Sequence, residues 1–151
     1  MMKKLGRFLL FPLFISITYA AFTAEAVTFA DLASQLSYRT AWRNLFKGEK
    51  HVPAWVRLAR GKSSPYSSVL IAGKNYVSGE MCKPHHCGSH RFYGIFSEDQ
   101  KQAWGLLVTI KNTVDAIQNP SRYATYRWFG KPDDSIKAHL MGQLRADPNW
   151  K

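Results

Sequence analysis

The chain's two cysteines, Cys82 and Cys87, lie five residues apart in the stretch MCKPHHCGSH, Met81 to His90. Three of its five histidines, His85, His86 and His90, share that stretch. No other feature restricts the fold so closely. Such a concentration of thiols and imidazoles admits three chemistries: a metal site, a redox pair, or a loop pinned by a disulfide. The compartment in which the chain works decides among them.

The N-terminus points to export. Lys3, Lys4 and Arg7 form a positive region, Phe8 to Ala21 is an apolar run of signal-peptide length, and Ala24-Glu25-Ala26 supplies a small-residue cleavage site. The run is short for a membrane span, which needs roughly 20 apolar residues. Residues 1–26 are therefore expected to be a signal peptide, and 27–151 a single domain long enough to bury its own core. No transmembrane segment is expected in that remainder. Loss of Lys3, Lys4, Arg7 and Glu25 lowers the net charge from +11 to +9. A surplus of that size favours anionic partners. For an exported chain the expected company is an anionic envelope surface or polymer, and no nucleic acid.

An oxidising space changes the odds for the cysteines. Two thiols with no other partner should close on each other. A structural zinc site would need a second ligand pair, which is missing, and export removes the thiolates. A thiol oxidoreductase favours C-x-x-C at a helix start, whereas this is C-x4-C between strand-like runs. No metal and no cofactor are expected. A six-residue ring contributes on the order of 2 kcal/mol, too little to be the main stabiliser of such a domain. Two readings of the loop stay open. It could tidy a hairpin, or it could hold Lys83, His85 and His86 outward with their ordering entropy already spent.

The rest of the chain reads as helix, strands, helix. Thr28 to Phe46 has helical spacing (Phe29, Leu32, Ala33, Leu36, Ala41, Leu45, Phe46), a Thr28/Asp31 capping box and a stop at Gly48. Val52 to Val56 contains a short apolar insert in a connecting segment. Strands are expected at 68–72, 76–81, 91–96, 103–110 and 123–129, with turns at Gly73-Lys74-Asn75 and Ser97 to Lys101. Gly130 to Asp133 breaks the last strand. Asp134 to Arg145 reads as a helix capped by Asp134 or Ser135, with Ile136, Leu140, Met141 and Leu144 on one face. The expected class is α+β: an antiparallel sheet of about five strands flanked by helices, with the cysteine loop projecting between two of them. Arg57, Arg60 and Lys62 are read as a solvated face. Tyr123, Tyr126, Trp128 and Phe129 are read as core and sheet cover, and His51 and His139 as ordinary. No nucleophile–base pair stands out, so no enzyme is expected.

The loop CKPHHC closely resembles the CKPHDC loop of the inhibitor of vertebrate lysozyme (Ivy) family. The resemblance continues through VPAWV (52–56), CKPHHCGSHR (82–91), Phe96-Ser97-Glu98, AWGLLVTI (103–110) and LRADP (144–148). It covers most of the exported portion. It implies a periplasmic inhibitor of a Gram-negative bacterium with a five-stranded antiparallel sheet and packed helices. It also implies a loop that enters the cleft of a C-type lysozyme, where the histidine matching His85 hydrogen-bonds both catalytic carboxylates. Cys82, Lys83, Pro84, His86 and Cys87 match the rest of the loop, and Gly88, Ser89, His90 and Arg91 would form its rim. The family is further linked to restraint of the bacterium's own lytic transglycosylases. The chain departs from the pattern at His86, where the family has Asp. That change and the basic charge both shift weight toward a less basic muramidase or a transglycosylase. A monomer and a homodimer are both compatible with the sequence.

Overall fold

The computed structural model describes residues 25–150. All but the last two residues of the expected signal peptide lie outside the described residues.

Helix formation begins where the sequence signals it. The Thr28 hydroxyl accepts from the Asp31 N–H, and the Asp31 carboxylate accepts from the Thr28 N–H at 2.9 Å, completing the expected capping box. The single helix expected over 28–46 is two helices, α1 (Phe29–Ser34) and α2 (Leu36–Leu45), separated by Gln35 in an extended conformation. The apolar positions explain the break. Phe29, Leu32 and Ala33 share one face, but Ala41, Trp42 and Leu45 are out of phase with it on a continuous helix. The kink at Gln35 lets both sets face the same core and leaves Leu36 at 77% exposure. Pro53 to Val56, expected as an apolar insert in a connection, instead leads into a one-turn helix, α3 (Ala54–Arg57).

The sheet follows: β1 (Lys62–Ser63), β2 (Ser67–Ile71), β3 (Lys74–Cys82), β4 (His90–Ser97), β5 (Ala103–Ile110) and β6 (Ala124–Phe129). It is antiparallel throughout, in the order β1-β3-β4-β5-β6, with β2 also pairing β3. The strand beyond the expected five is β1. It shares the outer edge of β3 with β2, covering Met81 and Cys82 while β2 covers Lys74 to Ser78. Two residues between Gly61 and Pro65 carry no alternation that a sequence could reveal. The β2–β3 turn falls at Ala72-Gly73, one residue earlier than expected, with both residues in the left-handed region. Between β5 and β6 the chain forms two short helices, α4 (Val114–Gln118) and α5 (Pro120–Tyr123), then returns as β6.

Both faces of the sheet are covered. Phe29, Trp42, Phe46, Phe92, Phe96 and Phe129 pack under α1 and α2. On the other face Tyr93, Ile95, Leu106 and Val108 meet Ile136, Leu140 and Leu144 of α6 (Asp134–Arg145). Burial on both sides makes β4 and β5 nearly continuous apolar runs. Close aromatic stacking needs glycine beneath it. A Cβ on Gly94 would stand 2.4 Å from the Phe29 ring, and one on Gly105 would stand 2.2 Å from Phe92. The cap of α6 is Asp133 and neither Asp134 nor Ser135, the two expected; its carboxylate accepts from the Ile136 N–H at 2.8 Å. Of the aromatic residues expected as core and cover, Phe129 is buried and Trp128 half-buried, whereas Tyr123 and Tyr126 are exposed. Tyr123 ends α5 and is off the sheet, and Tyr126 lies on the edge strand β6 with its ring 6.4 Å from that of Trp150. Among the described residues no helix is long and apolar enough to cross a membrane.

Candidate inhibitory loop

The loop grows out of the β3–β4 hairpin. The ladder runs to Cys82 opposite Arg91, and the Lys83 N–H extends it by donating to the His90 carbonyl at 3.0 Å. Cys82 and Cys87 are joined in a disulfide, their Cα atoms 4.8 Å apart. Within the ring, the His86 N–H donates to the Lys83 carbonyl at 2.9 Å. Proline stands second in that turn, and His85 stands third with φ of 64°. Those are the features of a type II turn, whose third position ordinarily calls for glycine. A second turn follows directly: the N–H groups of Ser89 and His90 both donate to the His86 carbonyl, at 3.1 and 2.9 Å.

The backbone of residue 86 therefore ties both turns. Its side chain is exposed. Pro84 and His85 are exposed at the tip, and Lys83 and the two cysteines are half-buried. The four residues expected as a rim behave differently from one another. Gly88 is exposed. Ser89 is buried, its carbonyl accepting from the Ile110 N–H at 2.8 Å and its hydroxyl 2.9 Å from His90 Nδ1. His90 is half-buried, with its ring 6.0 Å from that of His86. Burial, with the nearby positive charges of Lys83 and His86, holds His90 below the ordinary imidazole pKa. Arg91 turns inward, its Nε donating to the Cys87 carbonyl at 2.9 Å and its guanidinium paired with Asp147. Behind the disulfide lies a depression of about 310 Å³ lined by Lys62, Glu80, Met81, both cysteines and Arg91, among others.

Asp147 carries no local signal that could have placed it here, because 56 residues separate it from Arg91. A second polar cluster also escaped sequence reasoning. Ser78, buried on β3, has its hydroxyl 3.0 Å from His139 Nε2, 3.2 Å from Gln143 Oε1 and 3.3 Å from the Gly94 carbonyl. Burial alone lowers the His139 pKa. The group is a polar strut between α6 and the sheet. Arg57, Arg60 and Lys62 are all exposed, as expected of a solvated face, and Lys62 also lines the depression. Among the described residues no group of three or more His, Cys, Asp or Glu side chains could hold a metal ion.

The family model described as "Inhibitor of vertebrate lysozyme (Ivy)" matches residues 37–146. A Pseudomonas aeruginosa protein named inhibitor of vertebrate lysozyme is 44% identical over 122 residues, covering 80% of each chain. An uncharacterized Yersinia pestis protein is 41% identical over 128 residues, 85% of this chain and 83% of the relative. The Escherichia coli inhibitor of vertebrate lysozyme is 33% identical over 94 residues, 62% of this chain and 59% of the relative. The β3–β4 loop thus sits in a chain that belongs to the inhibitor of vertebrate lysozyme family, whose members are inhibitors and not enzymes.

Proposed function

We propose that the chain is exported to the periplasm after loss of residues 1–26, and that it inhibits a C-type lysozyme by inserting the Cys82–Cys87 loop into the catalytic cleft. The observation that carries this reading is His85. It stands exposed at the tip of a doubly pinned loop, in the left-handed backbone region that is costly for a side chain with a Cβ. The disulfide and the paired turns hold its imidazole outward, where a partner can reach it.

A lysozyme cleft presents a protonated Glu and an ionised Asp on either side of the scissile bond. An imidazole has two nitrogens and can face both. Protonated between them, it would make two charge-assisted hydrogen bonds, and the carboxylate pair would raise its pKa toward that state. Lys83 would add charge at the rim. The loop acts by occupancy and performs no chemistry.

The charge of the exported form favours a second target. A basic inhibitor is steered away from basic lysozymes and toward less basic glycosidases. Lytic transglycosylases, which rely on a catalytic Glu, fit that preference. The test uses protein purified without reductant from the periplasmic fraction of cells expressing the full chain. It is titrated into cell-wall lysis by a C-type lysozyme and, separately, by a lytic transglycosylase, each beside His85→Ala. Inhibition that disappears in the folded variant is the expected result. Equal inhibition by the variant, or none by the parent against either enzyme, would overturn the proposal.

A further inference from the structure

The hydrogen bonds inside the loop fix its shape but not its attitude to the sheet. Those of His86, Ser89 and His90 all begin and end between Lys83 and His90. At the base the Lys83 N–H donates to the His90 carbonyl across the neck, and the Ile110 N–H of β5 donates to the Ser89 carbonyl. A third is of another kind. Arg91 pairs with Cys82 across the ladder, so its side chain leaves the same face of the sheet as the disulfide, the face that α6 covers. From there Nε reaches the Cys87 carbonyl, on the far limb of the ring, and another nitrogen of the same guanidinium meets Asp147 just beyond α6.

Asp147 is itself held. Its carboxylate accepts from the Asn149 N–H at 2.8 Å, its carbonyl accepts from the Trp150 N–H at 2.9 Å, and Trp150 packs edge-on against Tyr126. The Arg91 and Asp147 side chains are only 18% and 17% exposed, so solvent and salt screen the pair weakly. A guanidinium is a planar fork that can hold two acceptors at a fixed angle, and an ammonium cannot.

We propose that Arg91 is a positioning residue of the inhibitor, fastening the Cys87 limb of the loop to the turn after α6 and so setting how His85 is presented. The consequence for inhibition rests on the cleft-plugging reading. The anchoring does not, and it is measured separately.

The test compares Arg91→Lys and Asp147→Asn with the parent, all purified unreduced from the periplasm. Arg91→Lys keeps the charge pair and removes the two-point bridge. Amide order parameters of His85, His86 and Gly88 are expected to fall from about 0.85 toward 0.6 in Arg91→Lys, while those of Phe92 and Ile95 stay unchanged. Inhibition of the responsive glycosidase is expected to weaken about tenfold, the size of one charge-assisted hydrogen bond. Asp147→Asn should lie between parent and Arg91→Lys on both scales. Parent-like loop order in Arg91→Lys would overturn the anchoring. So would a loss of order spread through β4 with a matching fall in thermal midpoint, which marks an ordinary stabilising ion pair. If the parent inhibits and Arg91→Lys inhibits equally, positioning falls and cleft plugging stands. If the parent inhibits neither enzyme but loop order falls in Arg91→Lys, anchoring stands and cleft plugging falls.

Discussion

Replacing His85 by glycine and by alanine separates what its backbone costs from what its imidazole does. The residue has φ of 64° and an exposed side chain, so neither substitution removes core packing. Alanine keeps the Cβ and with it the left-handed penalty of about 1 to 2 kcal/mol. Glycine has no such penalty, but its unfolded chain is freer, which at an ordinary site makes alanine the more stable by about 0.4 to 1 kcal/mol. The two effects oppose each other here, and their difference leaves the glycine variant ahead by about 0 to 1.6 kcal/mol, near 0.8 kcal/mol at mid-range. With a urea dependence near 2 kcal/mol per M, the mid-range value separates the two unfolding midpoints by about 0.4 M. The measurement is urea unfolding without reductant, followed by tryptophan fluorescence and far-ultraviolet dichroism. The sign is the diagnostic. An alanine variant more stable than the glycine variant would mean that the tip is not held in the left-handed region, and the case for strain at His85 would collapse. On the cleft-plugging reading both variants lose inhibition, and the glycine variant would be a stable inhibitor scaffold without activity.

Serine at both Cys82 and Cys87 should cost about 2 kcal/mol by loop-closure entropy, leaving a folded domain whose inhibition falls by more than its stability; unchanged inhibition would assign the disulfide to folding alone. Gly105→Ala drives a methyl to 2.2 Å from the Phe92 ring and should destabilise by about 1 to 3 kcal/mol or more, seen as a lowered thermal midpoint. Burial holds His139 below its ordinary value of 6.5, and burial with the charges of Lys83 and His86 does the same to His90. Each binds its proton more readily in the unfolded chain, so their contribution is complete above pH 6.5 and is lost as pH falls through the lowered folded values. His139→Gln should flatten part of that acid loss and leave the part due to His90; parallel stability curves for parent and variant would refute the assignment.

How much of this was legible in the sequence depends on how local each signal is. The capping box at Thr28 and Asp31 is a four-residue pattern, and it forms as written. β5 and α6 have the expected bounds because their apolar periods are long and end in turn residues. The kink at Gln35 left its trace only as a phase slip between Leu36 and Ala41, easily absorbed into one helix. β1 is too short for a period, and α4 and α5 are single turns set by tertiary packing. In the loop, the cysteines and the turn residues identify themselves. The strain at His85 does not, because Lys-Pro-His-His names a turn without fixing the sign of φ at its third residue. The Arg91–Asp147 contact was out of reach, since nothing in the sequence pairs a residue of β4 with one beyond α6.

The energetics indicate why a loop so small would be pinned in three ways. A ring closing six residues adds about 2 kcal/mol to a domain whose total stability is of order 5 to 15 kcal/mol. For folding that is a minor term, and the left-handed His85 cancels about half of it or more. Binding weighs the same features differently. A four-residue turn that became ordered only inside a cleft would cost about 1 to 2 kcal/mol per residue. Over the turn that is about 4 to 8 kcal/mol, or three to six powers of ten in dissociation constant. On the cleft-plugging reading, the disulfide, the paired turns on His86 and the Arg91 bridge all reduce that one cost. Strain of about 1 kcal/mol at the tip is small beside it. Substitutions within 82–91 should therefore lower affinity for the glycosidase by more than they lower stability, whereas substitutions beneath Phe29 and Phe92 should do the reverse. A loop variant that loses both in equal measure would place the loop in the fold and take it out of the cleft.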